Sequence, residues 1–436
     1  MTLTSRASAP PLDAFSLLAD PAADIRDEIA AANGMPELAD KIWFHKTASA
    51  VIDAGRCVGC GSCIAACPSR SIGVGEDGRP TLVRMCTGCS ACWDYCPLAG
   101  LRVERLGLDT LAADGSPTDA DGSPTDADSE LAGLGLVRAA YSARAARPAD
   151  RAQDGGVVTG LLAELLDLGY VDGVLVTRRV DAFRGEPYVA LSADAVREAA
   201  GTVYHQSHAL GALNDPLPAG VKRLAFVGTP CQVSGLRALQ RFPWRYRRST
   251  AGAVVLAVAL FCTRSFEPRD LELAVAGSGV DTSRVARIDI RGAELVARGR
   301  GAEVLLRRPV RDFRHTALKG CDECADFTGL AADLAMGSHG SEPGMTTVLV
   351  RTAAGGEAME RGANALVLGP LTSLEAVAST AARDRRRAEG ALERKLDLQG
   401  PLWISYTEHL RAYGGTAGRA PAKPPPFRSQ HYDVSC

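Results

Sequence analysis

Two cysteine runs of the same form, CVGCGSCIAACP at residues 57–68 and CTGCSACWDYCP at residues 86–97, decide the fold of this part of the chain. Each reads C-x2-C-x2-C-x3-C-P. The two-residue gaps let a turn aim successive thiolates at one cubane, while the longer gap and the proline direct the last cysteine to a neighbouring cluster. Two 4Fe–4S clusters are therefore predicted, held by a first quartet, Cys57, Cys60, Cys63 and Cys96, and a second quartet, Cys86, Cys89, Cys92 and Cys67.

The spacing resembles that of bacterial two-cluster ferredoxins, which implies a small domain that carries single electrons. Between the runs, residues 71–85 alternate apolar side chains around a turn rich in Gly and Asp, and this pattern predicts a hairpin. A zinc ribbon and structural disulfides are the alternatives. Zinc ribbons use pairs of cysteines rather than runs of four, so the cluster interpretation is favoured.

The composition of the 436 residues is that of a globular protein, with 46% hydrophobic and 23% charged residues. A formal net charge of −2 gives no basic field that would recruit nucleic acid. The longest apolar run, residues 251–262, is too short to span a bilayer, and the first residues lack the pattern of a secretory signal. Thirteen cysteines without such a signal indicate a reducing cytoplasm and metal ligation.

Changes in composition divide the chain into six predicted segments. From residue 136, strands alternate with helices, which is typical of an α/β domain with a parallel sheet, and from residue 268 short strands predominate. The strand at residues 346–352 is expected to pair with residues 355–362. A charged helix is predicted near 374–397, and its stretch ARDRRRAEGALERK at 382–395 is interpreted as a solvated face. The segments are an N-terminal extension at 1–50 with one amphipathic helix, a two-cluster ferredoxin domain at 51–106, a flexible linker with a DGSPTDA repeat at 107–135, an α/β domain at 136–267, a smaller α+β domain at 268–400 and a proline-rich tail at 401–436.

Four further cysteines form a third predicted quartet. Cys231 follows the buried strand RLAFVG, and Cys262 ends the strand AVVLAVALFC, so right-handed crossovers place both at the carboxyl edge of one sheet. Cys321 and Cys324 form a C-x2-C in a loop that can fold over that edge. Singly, these signals also fit a core cysteine, a zinc site or a redox disulfide. Together they favour a third 4Fe–4S cluster, and they leave Cys436 unliganded.

A flavin is expected at the same edge, because it converts single electrons into hydride chemistry. Helix N-termini attract phosphate, and glycines allow the backbone to approach a ligand closely. No catalytic residue is assigned. The candidate contacts are Gln153, Gly155, Gly156 and Thr159 before and in one helix, Gly201, Thr202 and Tyr204 in a second loop, and Gly228, Thr229 and Pro230 beside Cys231.

Five motifs, in this order along the chain, resemble the beta subunit family of coenzyme F420-reducing hydrogenase across residues 136–400. They are QDGGVVT at 153–159, FVGTPCQ at 226–232, Phe261–Cys262, CDECADF at 321–327 and TTVLVRT at 346–352. The resemblance implies FAD and a 4Fe–4S cluster on the third quartet. The fused ferredoxin domain is similar to that of other relatives, including hydroxymethyl chlorophyll a reductase and the electron-input subunit of the reduced-deazaflavin dehydrogenase.

The resemblance implies an oxidoreductase that passes electrons between ferredoxin and coenzyme F420 through three clusters and FAD. Two other functions remain open: a ferredoxin-dependent reductase of an organic biosynthetic substrate, and an electron-relay subunit of a larger dehydrogenase. Polar candidates near the flavin are Lys319, His315, His205, Tyr204 and Arg351. A basic groove for the anionic deazaflavin is expected to draw on Arg178, Arg179, Arg311 and Arg314.

Overall fold

The computed structural model describes residues 43–89, 91–98, 134–135, 137–241, 249–371 and 373–396. The predicted amphipathic helix of the N-terminal extension, the DGSPTDA repeat and the proline-rich tail lie outside these residues. Within the described part of the chain, no helix is both long and apolar enough to cross a membrane.

The cysteine runs lie in a small unit of short helices and one hairpin. Its two strands pair antiparallel, with Ile72 opposite Leu82, so the hairpin predicted between the runs is present. Short elements leave the backbone of the cysteine loops free to turn around a cluster. The elements are helix α1 (Phe44–Thr47), a π-helical turn (Ala48–Asp53), α2 (Ser62–Ala66), strands β1 (Ile72–Val74) and β2 (Pro80–Leu82), and α3 (Ala91–Asp94).

The described residues from 134 onward form eleven strands and six longer helices. The strands are β3 (Ala139–Ala145), β4 (Gly173–Arg179), β5 (Gly185–Ala190), β6 (Leu224–Gly228), β7 (Val254–Leu260), β8 (Arg287–Arg291), β9 (Glu294–Arg298), β10 (Val304–Pro309), β11 (Leu334–Gly337), β12 (Thr346–Val350) and β13 (Leu366–Gly369). The helices are α4 (Val157–Asp167), α5 (Ala193–Glu198), α6 (Pro230–Arg241), α7 (Pro268–Gly277), α8 (Ala353–Arg361) and α9 (Leu374–Leu396).

Eight of these strands form one sheet in the order β13-β3-β12-β11-β7-β6-β4-β5. The four strands β11, β7, β6 and β4 at its centre are parallel neighbours. All five residues of β6 are buried, as expected for a strand covered on both faces. The predicted α/β class with a parallel sheet is confirmed, and its carboxyl edge gathers the loops that follow β4, β6, β7 and β11.

A second, three-stranded sheet in the order β10-β9-β8 is the smaller α+β region. It packs with α7 through a cluster that includes Phe266, Leu271 and Ile288. The sequence predicts that this region continues to residue 400. In the structure, β11, β12 and β13 instead belong to the large sheet. Short strand segments do not reveal which sheet they join, since that choice depends on long-range pairing.

The predicted pairing of β12 with residues 355–362 is wrong, because those residues form α8. Thr352 caps this helix by accepting a hydrogen bond from the backbone N–H of Gly355 at 3.2 Å. Both edges of β12 are already hydrogen-bonded, since it lies between β11 and β3.

The ferredoxin unit contacts the large sheet through the loop after β5. The backbone N–H of His208 donates to the carbonyl of Gly59 at 3.0 Å. The Asn214 side chain donates to the carbonyl oxygens of Ile64 at 2.8 Å and Cys67 at 3.2 Å. These bonds fix one face of the ferredoxin unit against the α/β body.

Candidate functional site

The two cysteine runs fold into the same local loop. In each C-x-G-C turn the glycine is left-handed, with φ of 65° at Gly59 and 70° at Gly88. This conformation turns the glycine N–H toward the first thiol of the run, at 3.4 Å from Cys57 Sγ and 3.3 Å from Cys86 Sγ. Backbone N–H···S bonds are among the means by which proteins set the potential of a cluster.

The first quartet lines one cavity. The walls of this cavity include the thiols of Cys57, Cys60, Cys63 and Cys96, with Val51, Ile52 and Leu98 completing an apolar lining. Three of the thiols come from the first run and the fourth from the second run. Crossed donation of this kind is what the spacing predicts.

The second quartet lies in the same unit, next to the first. Cys67 and Cys92 are buried in one cluster against which Cys86 packs. The pKa of Cys89 is raised by burial and by the neighbouring thiols of Cys67 and Cys86. Thr47 Oγ1 lies 3.3 Å from Cys92 Sγ, and the N–H of Ser71 donates to Cys67 Sγ at 3.2 Å.

The third quartet meets at the carboxyl edge of the large sheet. Cys231 lies in the first turn of α6, Cys262 follows β7, and Cys321 and Cys324 border a 3-10 turn over that edge. Burial raises the pKa of Cys231 well above the ordinary thiol range, and the thiols of Cys324 and Cys262 raise it further. The topology deduced from the sequence therefore brings these four side chains together.

The three quartets adjoin one another in the order second, first, third, and we call this series of neighbours the row of quartets. Burial raises the pKa of Cys63 in the first quartet, and the thiol of Cys92 in the second contributes to that rise. Cys60 of the first quartet contributes in the same way to the raised pKa of Cys231 in the third. Cys60, Cys231 and Cys321 also belong to one apolar cluster. The first quartet is thus the middle member of the row.

Burial keeps these thiols neutral unless metal supplies compensating charge. Desolvation raises the pKa of both Cys57 and Cys262 to about 12. Iron binds the thiolate and displaces the proton, so a cluster satisfies the charge that the protein interior disfavours. Among the described residues no three His, Cys, Asp or Glu side chains converge on a single ion. A 4Fe–4S cubane does not require several side chains to converge on a single ion, because each of its cysteines binds a different iron.

The loop from Gln153 to Gly156 packs tightly at the start of α4. A Cβ atom on Gly155 would lie 2.6 Å from the carbonyl oxygen of Ala143 and 2.8 Å from Thr346 Oγ1, so only glycine fits there. Gly156 is the N-cap of α4, and Thr159 is half-buried in its first turn. This loop lies beside the carboxyl end of β3, where the N–H of Ala145 donates to the carbonyl of Gly155 at 2.7 Å.

The second predicted loop is largely occupied by internal contacts. Gln153 Nε2 donates to Tyr204 Oη and to the carbonyl of Ile290, both at 3.1 Å. The N–H of Ile290 donates in turn to Tyr204 Oη at 2.8 Å. Beside them, Arg179 donates to the carbonyl of Thr202 at 2.9 Å, and its guanidinium lies 3.1 Å from the Cβ position of Gly201. Gln153 and Tyr204 therefore join the two loops to the three-stranded sheet.

The third predicted loop serves the third quartet. Thr229 Oγ1 lies 3.2 Å from Cys231 Sγ. The N–H of Thr229 donates to Gln232 Oε1 at 2.9 Å, and Pro230 opens α6. Gly228 leaves no space for a side chain, since a Cβ there would lie 2.6 Å from the ring of Phe226. The hydrogen-bond partners of Thr229 thus include its own turn, the cysteine and the side chain of Gln206.

Two of the other polar candidates make internal contacts, Arg351 in the core and His205 in a half-buried position. Arg351 is fully buried and donates to the carbonyl of Leu134 at 2.7 Å and to Thr328 Oγ1 at 2.8 Å. Burial lowers the pKa of His205 to about 4, and its Nδ1 accepts the N–H of Gly185 at 3.3 Å. Both side chains hold neighbouring chain segments together.

Several residues at the site were missed in the sequence. Gln206 Nε2 donates to Thr229 Oγ1 at 3.1 Å and to Ser265 Oγ at 2.9 Å. Arg387 on α9 donates to the carbonyls of Cys321 at 3.1 Å and Cys324 at 3.4 Å, and Arg56 pairs with Glu323. Of these missed residues, only Arg56 and Glu323 could have been found in the sequence, because they lie next to cysteines.

Comparisons with known proteins agree with this arrangement. Residues 140–214 match the N-terminal region, and residues 221–372 the C-terminal region, of the coenzyme F420 hydrogenase/dehydrogenase beta subunit family. Residues 49–97 match the 4Fe–4S dicluster domain. The family predicted from the five motifs is thereby confirmed, and so is the fused cluster domain.

Individual relatives point the same way. The chain is 32% identical to the beta subunit of coenzyme F420 hydrogenase from Methanothermobacter thermautotrophicus over 50% of this chain and 80% of that protein. It is 28% identical to a coenzyme F420-dependent sulfite reductase from Methanocaldococcus jannaschii over 62% of this chain, but it spans only 43% of that protein. The rice 7-hydroxymethyl chlorophyll a reductase is 27% identical over 48% of this chain and 44% of that protein.

A solved structure shares the fold. A chain of the F420-reducing [NiFe] hydrogenase complex from Methanosarcina barkeri superposes with a TM-score of 0.59 and 25% identity, over 63% of this chain and 98% of that chain. The matched regions and the 32% identity assign the chain: it is an iron–sulfur oxidoreductase that belongs to the coenzyme F420 hydrogenase/dehydrogenase beta subunit family.

Proposed function

We propose that this chain passes electrons between a one-electron carrier of the ferredoxin type and coenzyme F420, through three 4Fe–4S clusters and FAD. The observation that carries the proposal is the row of three quartets, which starts in the ferredoxin unit and ends at the carboxyl edge of the sheet. In this scheme the segment predicted at residues 51–106 receives or releases single electrons, and the segments from residue 136 onward carry the flavin chemistry.

The donor sets support the three clusters. Each quartet supplies four thiols, the ligand type that suits iron–sulfur clusters. Thiols of the first and third quartets receive backbone N–H groups, from Gly59 at Cys57 and from Ser265 at Cys321. Such bonds stabilise charge on sulfur and suit a redox centre.

The start of α4 supports a flavin. Among the described residues no side chain caps this helix, and its first turn contains no acidic residue. Its first N–H groups and the positive end of its dipole are thus suited to a phosphate group of FAD. FAD bound there would interconvert single electrons and hydride.

Positive charge near Gly201 supports an anionic substrate such as the deazaflavin. The pKa of Arg179 is lowered by burial and by the neighbouring guanidinium groups of Arg151 and Arg287. Of the arginines predicted to form a basic groove, Arg178 instead pairs with Glu186 at the surface. The groove that we propose therefore contains Arg151 and Arg179, beside Arg287, which is paired with Asp289 at 3.2 Å.

One assay tests the proposal. We expect anaerobically purified protein to contain about twelve irons per chain, from three clusters of four, together with FAD. Reduced ferredoxin should then bleach the deazaflavin absorbance in the presence of catalytic amounts of the chain.

Three results separate the alternatives. About eight irons would remove the third cluster from the scheme. A full iron content without bleaching, but with turnover of another organic acceptor, would favour the biosynthetic reductase. No turnover of any acceptor by the isolated chain would favour a relay subunit; the similarity to a chain of a hydrogenase complex makes that the second candidate.

A further inference from the structure

The loops that carry the first and third quartets are joined by a buried ion pair. Arg56 immediately precedes Cys57, and Glu323 lies between Cys321 and Cys324. Arg56 Nε lies 2.8 Å and 2.9 Å from the two carboxylate oxygens of Glu323, and Nη2 adds a third, closer contact. The two side chains are only 5% and 2% exposed, so solvent does not screen the pair.

The backbones of the two loops also touch beside this pair. A Cβ atom on Gly320 would lie 1.8 Å from the carbonyl oxygen of Arg56 and 2.8 Å from Val58 Cγ1. Any other residue at position 320 would push the loops apart. The pair and the glycine together leave no gap between the segment that starts the first quartet and the segment that holds half of the third.

A buried ion pair contributes little net stability, because desolvation of both groups offsets their attraction. Apolar side chains of similar volume would fill the same space equally well. What the pair adds is direction, since the planar guanidinium fork accepts the carboxylate in one orientation. Burying both charges costs free energy, and what it gives in return is a fixed orientation of the two loops relative to each other.

We propose that Arg56 and Glu323 are positioning residues that fix the first and third quartets at one separation and orientation for electron transfer. The inference rests on the proposed function, because it requires a cluster on each quartet. In the step concerned, one electron leaves the first cluster and enters the third, and no bond is made or broken. The ferredoxin unit then acts in place, without moving on the linker that follows it.

The test compares Glu323→Gln with Glu186→Gln in the full chain. Glutamine keeps the shape but removes the charge, and Glu186 pairs with Arg178 at the surface, where both side chains are about half exposed (45% and 46%). Dithionite reduces the anaerobic protein, and stopped-flow absorbance with electron paramagnetic resonance follows each centre. We expect Glu323→Gln to retain its iron, to lose magnetic coupling between the first and third clusters, and to slow reduction of the third cluster at least tenfold. Glu186→Gln should match the wild type.

A second variant covers the case in which loss of the Glu323 charge costs Glu323→Gln its fold or its iron. The double change Arg56→Met with Glu323→Met removes both charges and keeps the volume, so it should fold with full iron and still show weak coupling and slow transfer. Wild-type coupling and rate in either iron-replete variant would overturn the proposal. A wild-type protein with only eight irons would instead overturn the proposed function, before any variant is compared.

Discussion

At the residue scale, the contact between the ferredoxin unit and the α/β body depends on a glycine. Gly61 has φ of 87°, and a Cβ atom there would lie 2.5 Å from the carbonyl oxygen of His208 and 2.7 Å from the N–H nitrogen of Gly211. Gly78 has a similar φ of 76°, but nothing lies within 4 Å of its Cβ position. The two glycines share one backbone requirement and differ only in their surroundings.

This pair gives a matched prediction. Gly78→Ala should cost roughly 1–2 kcal/mol, the penalty for a left-handed alanine. Gly61→Ala should cost about 1–3 kcal/mol more, because the added methyl overpacks the contact. Loss of cluster absorbance on heating measures the difference as two apparent midpoints. Equal midpoints would mean that the ferredoxin unit does not rest on the body at Gly61.

At the element scale, α9 shows how far helical patterning can be interpreted. The pattern correctly predicts a helix near residues 374–397. The interpretation of residues 382–395 as a solvated face is incomplete, since Ala388 and Ala391 within that stretch are buried. Before it, Val377 and Ala381 pack in one cluster with Phe327 and Leu134. Asp384, 2% exposed, accepts a hydrogen bond from Arg387 at 2.6 Å and holds its guanidinium over the third quartet. In a run of arginines, only tertiary packing decides which one turns inward.

Arg387 should raise the reduction potential of the third cluster, because its fixed positive charge favours the added electron. Arg387→Met should remove about 1–2 kcal/mol of stabilisation from the reduced cluster at an effective dielectric of 20. This loss lowers the potential by roughly 50–100 mV for one electron. Redox titration followed by electron paramagnetic resonance measures the shift. Arg386→Met is the control, since Arg386 is exposed on the same helix. Equal potentials in both variants would contradict this role.

At the scale of the whole molecule, the sequence predicts which loops meet at one sheet edge better than it predicts which residues contact each other. The order of strands and crossovers was enough to bring Cys231, Cys262 and the C-x2-C loop to one sheet edge. It did not reveal that β11 to β13 complete the large sheet, nor that Gln153 and Tyr204 bond to each other. Both depend on pairings between residues distant in the sequence, which local pattern and spacing do not encode.

In the proposed scheme the third quartet lies between the ferredoxin unit and the flavin, and this order leads to a last prediction. Cys321→Ser should remove about four of the twelve irons and leave the other two clusters reducible by ferredoxin. Reduction of the flavin by ferredoxin should then slow by two orders of magnitude or more, while direct reduction by dithionite remains. Cys436→Ser is the matched control, because the sequence predicts an unliganded thiol there. Flavin reduction at the wild-type rate in Cys321→Ser would show that electrons reach the flavin without the third quartet, and the linear order of centres would have to be abandoned.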